Sequence, residues 1–65
     1  MDFNEIIFKD VDLFMSNFSS REYAAAYLNT GALTLYQWSK RTVKPNATAY
    51  LQILIYLKKY PISST

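Results

Sequence analysis

The 65-residue chain contains no cysteine and no histidine. A chain of this size buries only about 60% of the surface it exposes when unfolded. Disulfides and thiolate or imidazole metal sites are the usual supplements for so small a core. Both are absent here, so apolar packing must hold the fold, helped at most by a partner. Apolar residues make up 51% of the chain, too many for disorder. One domain spanning residues 1–65 is expected, with no second one. The same two absences remove the commonest general base and the cysteine nucleophile. A catalyst is therefore not expected, and neither is a metal, a cofactor or a small-molecule ligand. The composition points to a small binding module.

The net charge of +2 conceals an asymmetry. Residues 1–22 hold two bases (Lys9, Arg21) and five acids (Asp2, Glu5, Asp10, Asp12, Glu22), a net of −3. Residues 23–65 hold five bases (Lys40, Arg41, Lys44, Lys58, Lys59) and no acid, a net of +5. A long stretch without a carboxylate suits a surface that meets a polyanion. The N-terminus carries early acids where a secretory signal would carry bases. The longest near-apolar run, Tyr50 to Leu57, is far short of the roughly 20 residues a membrane span requires. The expected location is cytoplasmic. Asn17-Phe18-Ser19 and Asn46-Ala47-Thr48 match a glycosylation pattern, but without a secretory signal they read as helix boundaries.

Periodicity predicts an all-α fold of four or five helices, with no segment alternating strictly enough for a sheet. Asp2 to Phe18 carries Phe3, Ile7, Val11, Phe14 and Phe18 as a helical stripe, widened by Ile6, Phe8, Leu13 and Met15. Asp10 and Asp12 do not share a helix face, so they read as a solvated polar edge rather than a paired-carboxylate site. Ser19 with Glu22 three residues later makes a capping box for a short helix running to Leu28. Asn29-Thr30-Gly31 breaks that helix, Asn29 suiting a left-handed backbone. Gly31 or Thr30 then opens a third helix over residues 32–41, with Leu35 and Trp38 inward. Pro45 forbids continuation, and Asn46 or Thr48 caps a last helix over about 47–59, which Pro61 ends.

Two short helices joined by a tight turn, the second followed by bases, form a helix-turn-helix layout over about residues 20–41. The stretch Arg21 to Trp38, REYAAAYLNTGALTLYQW, resembles the lambda-repressor/Cro-like (XRE) helix-turn-helix family. Ala25 matches that family's small residue at the helix crossing, and Leu28 its core leucine before the turn. Asn29 takes the place of the turn glycine, Leu35 of the buried isoleucine and Trp38 of the buried tryptophan. Aligning Gly31 with the turn glycine instead would put Tyr27 at the crossing and Gln37 and Lys40 in the core. Ala24 and Thr30 depart from the family, which has larger apolar residues there. The similarity spans roughly residues 20–61, since the proline, apolar helix and basic-aromatic-proline ending resemble small antitoxin-type and phage regulators. Size and style also resemble regulators encoded beside anti-CRISPR genes. The resemblance implies a lambda-repressor-like DNA-binding fold.

A recognition helix packs one face inward and presents hydrogen-bonding side chains to the major groove with the other. With Leu35 and Trp38 inward, Leu33, Thr34, Tyr36, Gln37, Lys40 and Arg41 remain for the groove. Gln37 can bond adenine bidentately, Thr34 or Leu33 can touch a thymine methyl, and Arg41 can reach guanine or a phosphate. Arg21, with Ser20 at the start of its helix, matches the family position that clamps the backbone, and Lys44 is placed for a second phosphate. Tyr23 and Tyr27 are expected to bury their rings and leave their hydroxyls wet. Tyr36 falls beside Gln37 on the outer side, open to base stacking. Lys58 and Lys59 complement the last helix's dipole.

The last helix is apolar nearly all round. Ala47, Tyr50, Leu51, Leu54 and Leu57 or Lys58 share one face. Leu51 and Leu54 are expected to pack on the core, and Ile53, Ile55, Tyr56 and Leu57 cannot all face inward, leaving an apolar remainder for an interface. A homodimer through Tyr50, Ile53, Leu57, Tyr60 and Ile62 is expected, unless the bulky first helix covers that face in a monomer. The expected function is a dimeric repressor on an inverted-repeat operator in double-stranded DNA. The alternative is a protein-binding inhibitor or antitoxin built on the same fold.

Overall fold

Four helices account for the regular structure of residues 2–60, the part of the chain described by a computed structural model: α1 (Phe3–Ser16), α2 (Arg21–Tyr27), α3 (Ala32–Ser39) and α4 (Ala47–Lys59). The all-α expectation holds, and no fifth helix is present among the described residues.

Local chemistry sets each boundary. Asp2 caps α1, its Oδ1 accepting from the Asn4 amide at 3.3 Å. Asn17 and Asn46 stand at helix ends, as C-cap of α1 and N-cap of α4. The Asn46 side chain accepts from the Ala49 amide at 2.8 Å. One cap differs from expectation. Ser20, not Ser19, precedes α2, and its hydroxyl accepts from the Tyr23 amide at 3.3 Å. Glu22 then falls one residue too early to close a capping box and serves only as an acid in the first turn.

α2 and α3 end in the same way. Asn29 adopts φ 57°, and the amides of Asn29 and Thr30 donate back to Ala26 and Ala25. Arg41 adopts φ 60°, and the amides of Arg41 and Thr42 donate to Trp38 and Gln37. Both are Schellman closures, which satisfy carbonyls that a helix end would otherwise leave unpaired. Asparagine takes the left-handed backbone cheaply, but arginine does not. α3 therefore stops before residue 41, short of the expected end, at a position where no small residue marks the break. The compensation is tertiary. The Arg41 guanidinium meets both oxygens of Asp12 on α1, at 3.3 and 3.0 Å, and lies 5.2 Å from the Phe8 ring. The hydrogen bond to Asp12 raises the Arg41 pKa above its ordinary value. Arg41→Ala should lower the melting temperature, because it keeps the backbone strain and loses the pair. Arg41→Gly should recover part of that loss by relieving the strain.

The core joins Val11 and Phe14 of α1, Ala24 and Ala25 of α2 with Leu28, Leu35 and Trp38 of α3, and Ile53 of α4. The small faces of Ala24 and Ala25 lie inward, and α2 packs chiefly on α3. α4 lies along α1 in the same direction: Lys44 bonds Asn4, Tyr50 bonds Asp10, and Tyr56 packs on Phe14 and Phe18. Tyr27 reaches across to Tyr56 at 5.1 Å, so four rings (Phe14, Phe18, Tyr27, Tyr56) close one end of the fold. Tyr23 and Tyr27, both expected to bury their rings, are exposed instead, Tyr27 at the edge of this cluster.

The inner face of α4 differs from the expected one. Ile53 is completely buried, with Ala49, Tyr56 and Leu57 packed partly beside it. Leu51 and Leu54, expected inward, are 57% and 39% exposed, and Ile55 is 55% exposed. The expected dimer interface is corrected accordingly: Ile53 lies in the core, Leu57 packs against it, and Tyr50 is engaged by α1. Tyr60 is exposed, its ring 4.9 Å from Tyr56, and Ile62 lies outside the described residues. The reason is that a helix apolar on every side gives periodicity nothing to choose between. The aromatic rings of α1 and α2 make the choice.

Asp12 is exposed, as expected of a solvated edge, and Asp10 is half-buried, but each has a partner. Asp12 holds Arg41, and Asp10 accepts from the Tyr50 hydroxyl at 2.6 Å. Burial, then the hydrogen bond donated to Asp10, push the Tyr50 phenol up to about 12. An unfolded tyrosine ionises near pH ~10, so the fold favours the neutral phenol. That contribution is intact below about pH 10 and is lost as pH rises through about 12. Wild type should therefore lose more stability than Tyr50→Phe across this interval, read from denaturant midpoints.

Candidate nucleic-acid interface

α3 is anchored by Leu35 and Trp38, both buried against α1 and α2. Helical spacing then puts Leu33, Tyr36, Gln37 and Lys40 on the opposite side, at relative positions i, i+3, i+4 and i+7. Leu33 is 68% and Tyr36 40% exposed, Lys40 is exposed and Gln37 is half-buried. Arg21, the first residue of α2, joins this face: its guanidinium lies 4.9 Å from the centre of the Tyr36 ring. Lys40 Nζ lies 5.5 Å from the same ring. Ser20 is half-buried behind Arg21 as the α2 cap.

The remaining expected contacts sit elsewhere. Thr34 faces a groove of about 240 Å³ between the α2–α3 turn and the start of α4, beside Asn29, Thr30, Asn46 and Gln52. Arg41 turns back onto Asp12, and its Nη1 also donates to the Ser39 carbonyl at 3.2 Å. Lys44 donates to Asn4 at 3.2 Å. Five of the nine expected residues thus share one surface: Arg21, Leu33, Tyr36, Gln37 and Lys40. Arg41 and Lys44 are drawn toward α1, because their partners lie 29 and 40 residues away in the sequence.

No family model, curated protein or solved structure matches the chain. The surface is read from its own chemistry.

That chemistry is cationic, with a hydrogen-bonding and apolar centre. Asp12–Arg41 is the one ion pair among the described residues, so neither Arg21 nor Lys40 is neutralised by a carboxylate. Both cations gather at the Tyr36 ring, and the Gln37 amide and the exposed Leu33 share that side of α3. Such a surface can attract phosphate through its rim and touch base edges through its middle. Among the described residues, no three acidic side chains gather as metal ligands. No helix there is long and apolar enough to cross a membrane.

Proposed function

We propose that this chain is a sequence-specific DNA-binding regulator in which α2, the turn and α3 act as a helix-turn-helix. α3 enters the major groove, Gln37 and Leu33 meet base edges, and Arg21 and Lys40 meet flanking phosphates. The observation that carries this reading is the outward Leu33–Tyr36–Gln37–Lys40 stripe, on a helix whose other side is fixed by Leu35 and Trp38. Nothing on this surface suggests catalysis, and the reading needs no cofactor. The simplest mechanism is repression by occlusion: the bound protein blocks polymerase at its own promoter, in the cytoplasm.

One recognition helix reads few base pairs, so two copies on half-sites about 34 Å apart belong to the proposal. Fluorescence anisotropy with duplexes from upstream of the coding region tests it directly. Tight binding to an inverted repeat, weakening steeply with salt, is the expected result. No binding at low salt would remove the reading.

A second reading is favoured by the exposed Leu51, Leu54 and Ile55 of α4, which suit contact with another protein. In that case the chain is an inhibitor or antitoxin. Recovery of one stoichiometric partner protein, with no DNA affinity, distinguishes it.

A further inference from the structure

The geometry points to Tyr36 as a positioning residue whose ring pre-orders Arg21 and Lys40 as a pair of phosphate-binding groups. The inference rests on the DNA-binding reading and assigns Tyr36 a role other than stacking on a base.

Arg21 opens α2 and Lys40 caps the end of α3, yet both cations lie over one ring, at 4.9 and 5.5 Å from its centre. Both distances fall within the roughly 6 Å over which an aromatic face attracts a cation. Lys40 reaches the ring from one turn further along the same helix, and Arg21 from the neighbouring one. Tyr36 is 40% exposed, so the ring and its two cations stand at the surface.

The contrast with Arg41 shows what a ring offers that a carboxylate does not. Asp12 holds Arg41 in place but also cancels its charge. The Tyr36 ring holds Arg21 and Lys40 through its quadrupole and leaves both charges in full. A cation held this way is ordered yet still attractive to phosphate. Long basic side chains otherwise lose rotamer freedom on binding, at a cost of roughly two- to tenfold in affinity each. Part of that loss is already met in the free protein. Because both cations would meet phosphate rather than base edges, the effect is independent of DNA sequence.

The test uses the full chain with Tyr36→Phe and Tyr36→Leu, each checked for retained helicity by circular dichroism. Affinity is measured on the specific duplex and on a scrambled one. Ring-current shifts of the Arg21 δ and Lys40 ε protons are recorded by NMR in the free protein. Phenylalanine should preserve affinity and shifts. Leucine should abolish the shifts and weaken both duplexes alike, by roughly three- to tenfold. Equal losses in the two variants would assign the effect to the hydroxyl and overturn the proposal. So would a leucine loss confined to the specific duplex, or free wild type without shifted protons. A wild-type chain that binds neither duplex would remove the DNA-binding reading and this proposal with it.

Discussion

Ile53→Ala is expected to remove much of the stability of the fold at room temperature. Ile53 is fully buried at the one point where α4 enters the core, among side chains from the other helices. Removing its outer carbons loses transfer free energy and leaves a cavity, together about 2–5 kcal/mol. A core this small, without disulfide or metal, supplies only about 3–5 kcal/mol in total. Leu54→Ala, one position along the same helix, removes a side chain that is already partly in water. Its cost should stay below about 1 kcal/mol. Urea denaturation followed by circular dichroism measures both. Equal effects at 53 and 54 would mean that α4 is rotated from the face described above.

The second large effect concerns the proposed DNA complex. Gln37→Ala should cost about 1–3 kcal/mol on the specific duplex and leave scrambled DNA unaffected, since a bidentate amide–adenine contact discriminates by that amount. Arg21→Ala should weaken every duplex to the same degree and flatten the slope of log affinity against log salt by about one. Arg41→Ala should leave that slope unchanged, because Asp12 already neutralises the guanidinium. Sequence-dependent loss from Arg21→Ala, or uniform loss from Gln37→Ala, would reverse the roles assigned to the phosphate rim and the base-reading centre.

How far the site was legible depends on the distance over which each residue is governed. Leu33, Tyr36, Gln37 and Lys40 follow from the helical spacing of Leu35 and Trp38, a relation contained within one helix. Arg41 and Lys44 look equally available when the same stretch is read alone. Their partners, Asp12 and Asn4, belong to α1, and no local pattern announces a contact over 29 or 40 residues. The two left-handed closures divide in the same way. Asn29 advertises its turn through its own chemistry, whereas Arg41 takes the same conformation because Asp12 and Phe8 hold its side chain.

Without cysteine or histidine, the chain was bound by its sequence to rely on apolar burial; its periodicity announced an all-α fold of four or five helices, and Gly31 and Asn46 stood among the alternatives for two of the caps. Those outcomes depend on interactions within a few residues, which sequence displays directly. Tertiary structure decided which face of α4 is the core, which cations stay free, and that Tyr36 gathers two of them. An all-apolar helix and an exposed base each have several acceptable environments. Only the neighbouring helices select among them.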